Sequence, residues 1–207
     1  MDVKTMAVVG AGNAGRTIAC AAVRAGYRTI LEDISRASLD EGIAEIRQTL
    51  GHDVARRKID PRACALALRQ LTTANSPQAA AREADLIIET VPDDMEIKIE
   101  LFTIFDKFAK PGAIFATTTS SLSISEIAEA TFCPERCIGM RFMSPRRESK
   151  LLELVRGRET SEQTIASCRE VGRRMSREVA LVPESAGSVP GREISDYNQR
   201  KVVGTEG

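Results

Sequence analysis

Apolar positions fall into short runs separated by amphipathic stretches, and the two rhythms alternate from one end of the chain to the other. Residues 3–9 form an apolar strand-like run, 10–15 a glycine turn, and 16–25 a helix rich in small residues that Gly26 stops. A second strand over 29–31 ends at Glu32 and Asp33. That order predicts a βαβ unit, because parallel strands need such a crossover. Residues 38–71 are helical and charge-laced with a break at Asp60-Pro61, which predicts two antiparallel helices on the outside. Next come a strand over 71–74, a short helix over 78–82 and a fully apolar strand over 86–91, as a central parallel strand should read. An amphipathic helix over 95–108 ends at Pro111-Gly112. Strands over 113–117, 137–142, 151–155 and 178–182 alternate with helices over 124–130 and 161–175. Repeated alternation of this kind predicts a doubly wound, mostly parallel α/β sheet. Residues 1–183 read as one domain. Residues 184–207, rich in Gly, Pro, Ser and charge without an apolar period, read as a loop or disordered tail.

Charge narrows the choice of partner. Lys+Arg and Asp+Glu are 29 each, so nothing selects nucleic acid or an anionic membrane, which would favour a basic excess. No apolar run approaches the roughly 20 residues of a spanning helix, and the expected location is cytoplasmic or another reducing compartment. The five cysteines contain no CxxC, and the single histidine, His52, lies far from the Cys133/Cys137 pair. Buried or incidental thiols are therefore expected rather than a metal site.

Gly10-Ala11-Gly12-Asn13-Ala14-Gly15 is GxGxxG. Alone the pattern is weak. Here it follows a strand, opens a helix, and precedes by about twenty residues an acid at the end of the next strand, which is the Rossmann arrangement. Gly10 serves the tight turn, Gly12 admits the pyrophosphate and Gly15 lets helix and strand pack closely. The free N–H groups and positive dipole at Asn13 and Ala14 attract phosphate. Asp33 is placed to accept from the adenosine ribose, and Glu32 beside it adds negative charge, which favours NAD over NADP. Arg36 can partly screen the two acids. The competing reading is a glycine turn that binds no nucleotide.

Several blocks in order, VVGAGNAG, LEDIS, IIETVPDDMEIKIELF, ATTTSSLSISEIA, PERCIGMRFMSP and KLLELVRG, resemble the NAD-binding domain of L-3-hydroxyacyl-CoA dehydrogenases. That family oxidises the 3-hydroxyl of an acyl-CoA in fatty acid metabolism, passing hydride to NAD. The resemblance implies cofactor contacts at Glu89, Lys98 and Ser120, with Ser120 also binding the substrate hydroxyl. It implies a general-base His in an HFFNP block and a Glu that orients it. This chain reads Arg141-Phe142-Met143-Ser144-Pro145, so the Glu is present as Glu153 but Arg141 replaces the His. Family asparagines are replaced by Ser144, Thr118 and Gly191. The match dissolves after about Pro183, so the family's C-terminal helical domain is expected to be absent and the oligomeric state is left open.

A general base needs a pKa near the working pH, and arginine as a residue type stays protonated there. Arg141 in the base's place predicts a severely impaired dehydrogenase. Three readings stand open: an impaired dehydrogenase, a non-catalytic module or degenerate homologue holding NAD(H) or NAD(H) plus acyl-CoA, and a structural or partner-binding protein that kept only the fold. For Arg141 itself, the plain alternative is an ion pair with Glu153 that merely stabilises the pocket.

Overall fold

The structure, a computed structural model, describes residues 2–143 and 150–184. Its strands are β1 (Thr5–Val9), β2 (Arg28–Glu32), β3 (Leu71–Ala74), β4 (Leu86–Glu89), β5 (Ile114–Thr117), β6 (Cys137–Phe142), β7 (Leu151–Arg156) and β8 (Glu178–Pro183). The helices are α1 (Asn13–Arg24), α2 (Arg36–Ala55), α3 (Pro61–Arg69), α4 (Pro77–Glu83), α5 (Met95–Phe108), α6 (Ile124–Ala128) and α7 (Glu162–Arg174). A 3-10 turn, Pro134–Arg136, was not anticipated.

All eight strands join one sheet in the order β3-β2-β1-β4-β5-β6-β7-β8. From β3 through β6 every pairing is parallel. β7 runs antiparallel to β6 because the link 143–150 has no room for a crossover helix. α7 then crosses over, and β8 returns parallel to β7. The order reverses between β1 and β4, where a doubly wound sheet opens a crevice at its carboxyl ends.

Side-chain alternation builds two cores. One face carries Met6, Val8, Leu31, Ile88, Ile138 and Leu154 under α1, α2, α3 and α7. The other carries Ala7, Val9, Ile30, Ile87 and Phe115 under α4, α5 and α6. Phe102 and Phe105 of α5 pack on Phe115 with ring centroids 5.9–6.2 Å apart. The five cysteine thiols are free and buried, and burial pushes Cys20 up to about 11 and Cys137 and Cys168 to about 12.

Candidate functional site

The glycine turn has a separate reason at each position. Gly10 sits at φ +102°, a region open to glycine at little cost. A Cβ on Gly15 would lie 1.8 Å from the Gly10 carbonyl oxygen, so α1 presses directly on the turn that precedes it. Gly12 is different. It is the N-cap of α1 with ordinary dihedrals, and a Cβ there would meet nothing within 4 Å. Its missing side chain leaves open space rather than relieving a clash, which is what close approach of a pyrophosphate requires. No side chain caps α1 and no acid occupies its first turn, so the N–H end stays available to an anion.

Two residues not anticipated from the sequence hold this turn. The Thr90 hydroxyl at the end of β4 donates to the Val9 and Gly10 carbonyls (2.9 and 3.0 Å). Arg16 donates from Nε to the Ala11 carbonyl (2.6 Å) and from its two terminal nitrogens to Glu41 and Glu45 of α2. Neither residue lies in the GxGxxG pattern. The sequence pattern put Arg16 at the start of the first helix, and in the structure it lies one turn into α1.

At the end of β2, Asp33 accepts from Ala11 N–H (2.9 Å) and Ser35 N–H (2.8 Å), which places the carboxylate against the glycine turn with lone pairs to spare. Ile34 follows, an apolar side chain 85% exposed. Glu32 does not stand beside Asp33 as a second surface acid. It is 2% exposed, and burial, reinforced by Asp33, raises its carboxyl to about 7. The negative charge facing a 2′-phosphate therefore belongs chiefly to Asp33. Among the described residues Arg36 forms no ion pair with either acid. It is exposed and its Nε pairs with Asp40 one turn along α2.

Glu89 and Lys98, expected to touch the cofactor, are both fully buried. Lys98 Nζ donates to both Glu89 oxygens (2.8 and 2.7 Å) and to the Val91 carbonyl (3.0 Å), while the Thr117 hydroxyl donates to Glu89 (2.7 Å). The cluster ties β4, α5 and β5 together beneath the crevice, so it acts as the floor. The acid that faces the opening is Asp93, which sequence reading passed over. It accepts from Ser120 N–H (3.3 Å) and the Ser121 hydroxyl (2.9 Å) and approaches Lys98 at 3.5 Å. Burial works to raise the Asp93 carboxyl, but the Ser121 and Thr119 hydroxyls with Lys98 hold it below its usual value. Ser120 is exposed on the loop so fixed, its hydroxyl available to a ligand.

Arg141 and Glu153 are direct cross-strand partners in the antiparallel β6–β7 pair, beyond the carboxyl end of β5. The base position and its orienting acid are thus brought together. The Arg141 Nε donates to the Thr119 carbonyl (2.8 Å), fastening the Ser120 loop to β6. An Arg141–Glu153 ion pair is not among those formed by the described residues. Ser144 and the 186–192 segment with Gly191 lie outside the described residues. Thr118, just past β5, donates its N–H to the carbonyl of Glu89 at the end of β4 (3.1 Å).

A parallel sheet reversed at β1/β4, an open glycine at an uncapped helix start and an acid held against the glycine turn are the features of a dinucleotide-binding domain, and these residues fit that ligand. Comparison with known proteins narrows the class. The profile described as "3-hydroxyacyl-CoA dehydrogenase, NAD binding domain" matches residues 5–185. A probable 3-hydroxybutyryl-CoA dehydrogenase of Bacillus subtilis is 32% identical over 94% of this chain and 67% of its own length. The 3-hydroxybutyryl-CoA dehydrogenase of Bradyrhizobium diazoefficiens is 36% identical over 86% of this chain and 61% of its own. The crystal structure of 3-hydroxybutyryl-CoA dehydrogenase from Escherichia coli superposes with a TM-score of 0.86 at 32% identity, over 90% of this chain and 39% of that one. The chain belongs to the NAD-binding domain family of the 3-hydroxyacyl-CoA dehydrogenases, and NAD is the dinucleotide its crevice takes.

Proposed function

We propose that this chain binds NAD(H), accepts an acyl-CoA-type ligand beside the Ser120 loop, and performs 3-hydroxyacyl-CoA dehydrogenase chemistry poorly or not at all. The observation that carries the reading is Arg141, opposite Glu153 in the β6–β7 pair at the position where the family resemblance puts a histidine. Bound NAD supplies a hydride acceptor. The Gly12–Gly15 helix start holds its phosphates, Asp33 its adenosine ribose, and Ser120 donates to or accepts from the ligand oxygen. What is missing is a group on β6 that takes the hydroxyl proton. A guanidinium has no lone pair to receive it, while it can stabilise an oxyanion or a carbonyl. Glu153 remains a positioning residue with no imidazole to orient. Losing a positioned base costs on the order of 10²–10⁴ in rate.

The test pairs two readouts on the same chain, NADH fluorescence for binding and loss of 340 nm absorbance with acetoacetyl-CoA for turnover. Saturable NADH binding with turnover at or near background is expected. Arg141→His is expected to give a measurable but feeble reductase. Failure to bind NADH removes the cofactor reading, and brisk wild-type turnover removes the reading of Arg141 as disabling.

A further inference from the structure

Glu32 has a place in the fold that the ribose site does not account for. Strand pairing puts it in one row with Val9 on β1 and Ala74 on β3, on the face covered by α4 and α5. Its backbone carbonyl receives Gly10 N–H (2.9 Å), the first residue of the phosphate turn. Its side chain is 2% exposed, and Oε1 has no donor among the described residues. A buried acid retained for structure would be bonded like Glu89, since an unpaired buried carboxylate is costly.

The surroundings leave little to compensate a charge there. Asp33, the next residue, is anionic in kind and turned to Ala11 and Ser35. α4 presents buried Ala80 and Ala81, while its charged Arg82 and Glu83 are exposed. From β4 and α5 the charged groups are Glu89 and Lys98, already bonded to each other two strands away, and Asp93 with its serine loop. Arg36 of α2 is committed to Asp40.

We propose that Glu32 couples dinucleotide binding to proton uptake: neutral, it admits the cofactor, and ionised, it opposes the anionic pyrophosphate on the adjoining Gly10–Ala11 turn. The proposal rests on the NAD-binding reading and goes one step past it. Cofactor binding covers the end of β2 and brings two phosphate charges to the neighbouring turn. Both changes disfavour the carboxylate, so the carboxyl holds its proton more tightly in the complex than in the free protein. Free Glu32 titrates at about 7. Affinity is therefore full below that value and falls as pH rises through it, levelling off above the carboxyl's value in the complex.

Calorimetric titration of NADH into the full chain, in buffers of different ionisation enthalpy from pH 6 to 8.5, counts the protons directly. Wild type is expected to take up about half a proton near pH 7.5 and to bind about tenfold more weakly at pH 8.5 than at pH 6, the change that accompanies a one-unit rise on binding. Glu32→Gln, an uncharged side chain of the same shape, is expected to take up none and to keep the low-pH affinity throughout. Imidazoles as a class exchange protons in this range, so His52→Gln, altered on the exposed surface of α2, is the control and should retain the uptake. Absence of uptake in wild type, undiminished uptake in Glu32→Gln or its loss in His52→Gln overturns the proposal while leaving NAD binding intact. No NADH binding at any pH overturns both.

Discussion

Gly12 and Gly15 sit three residues apart in one motif, yet they answer a mutation differently. A Cβ at Gly12 has no protein atom within 4 Å, which leaves room for a small side chain. Gly12→Val should therefore leave the far-ultraviolet circular dichroism and the melting temperature near wild type while abolishing NADH binding. Gly15→Ala drives a methyl into the Gly10 carbonyl at 1.8 Å and should lower the melting temperature markedly whether or not cofactor is present. Were Gly12→Val to unfold the chain, the assignment of that space to the pyrophosphate would fail. Lys98 makes a different argument. With both partners fully buried, Lys98→Met strips Glu89 of its cation, a change that typically costs about 3–5 kcal/mol. Urea unfolding is expected to register that loss even without NAD, as befits a floor rather than a contact. Sequence period already carried part of this information. Glu32 is in phase with Ile30, which faces the α4/α5 core, so its burial was legible, whereas adjacency to Asp33 suggested a surface acid. Asp93 was not legible, because its role depends on the Ser120–Ser121 loop reaching it from 27 and 28 residues away.

At the scale of elements, strands and helices were readable because burial on both faces leaves unbroken apolar runs and the helices carry their stop signals. The ends were set by caps instead. α2 begins at Arg36, two residues before its apolar rhythm, because the Ser35 hydroxyl accepts from Ser38 N–H. α3 begins at Pro61 under the Asp60 carboxylate. The least legible boundary is the end of β8. Glu184 stands in a run without periodicity, and so read as the first residue of a loose tail. Its carboxylate instead accepts from the Ser123 and Ser125 hydroxyls and from Ser125 N–H, closing the start of α6 onto the end of β8. Burial would raise that carboxyl, but the Ser125 hydroxyl and N–H with the Ser123 hydroxyl hold it below its usual value. A carboxyl held low stabilises the fold above its unfolded value, and the stabilisation is lost as pH falls through the folded one. Glu184→Gln should therefore melt lower than wild type at pH 7, with the gap closing as the pH is taken below about 4. A gap unchanged with pH would mean that the contacts are held by shape rather than charge.

For the whole molecule, the chain spans 61–67% of its two curated relatives and 39% of the Escherichia coli chain, so its activity is argued from the crevice alone. If Asp33 holds the adenosine ribose as proposed, NADPH should bind at least about tenfold more weakly than NADH at pH 8, a gap of about 1.4 kcal/mol, and equal affinities would contradict the assignment. The family resemblance also implies asparagines where this chain has Thr118, Ser144 and Gly191, and each lost donor to a developing charge can cost about 10²–10³ in rate. Arg141→His alone should therefore recover only part of the rate, with Ser144→Asn and Gly191→Asn adding to it. The proposed function has the crevice hold NAD(H) without a base on β6. The most direct test is steady-state oxidation of NADH with acetoacetyl-CoA by the wild-type chain, under conditions where fluorescence shows NADH bound. Turnover below about 0.1 s⁻¹ is expected, at least two orders under the typical enzyme value near 10 s⁻¹. Turnover of about 1 s⁻¹ or faster would contradict it.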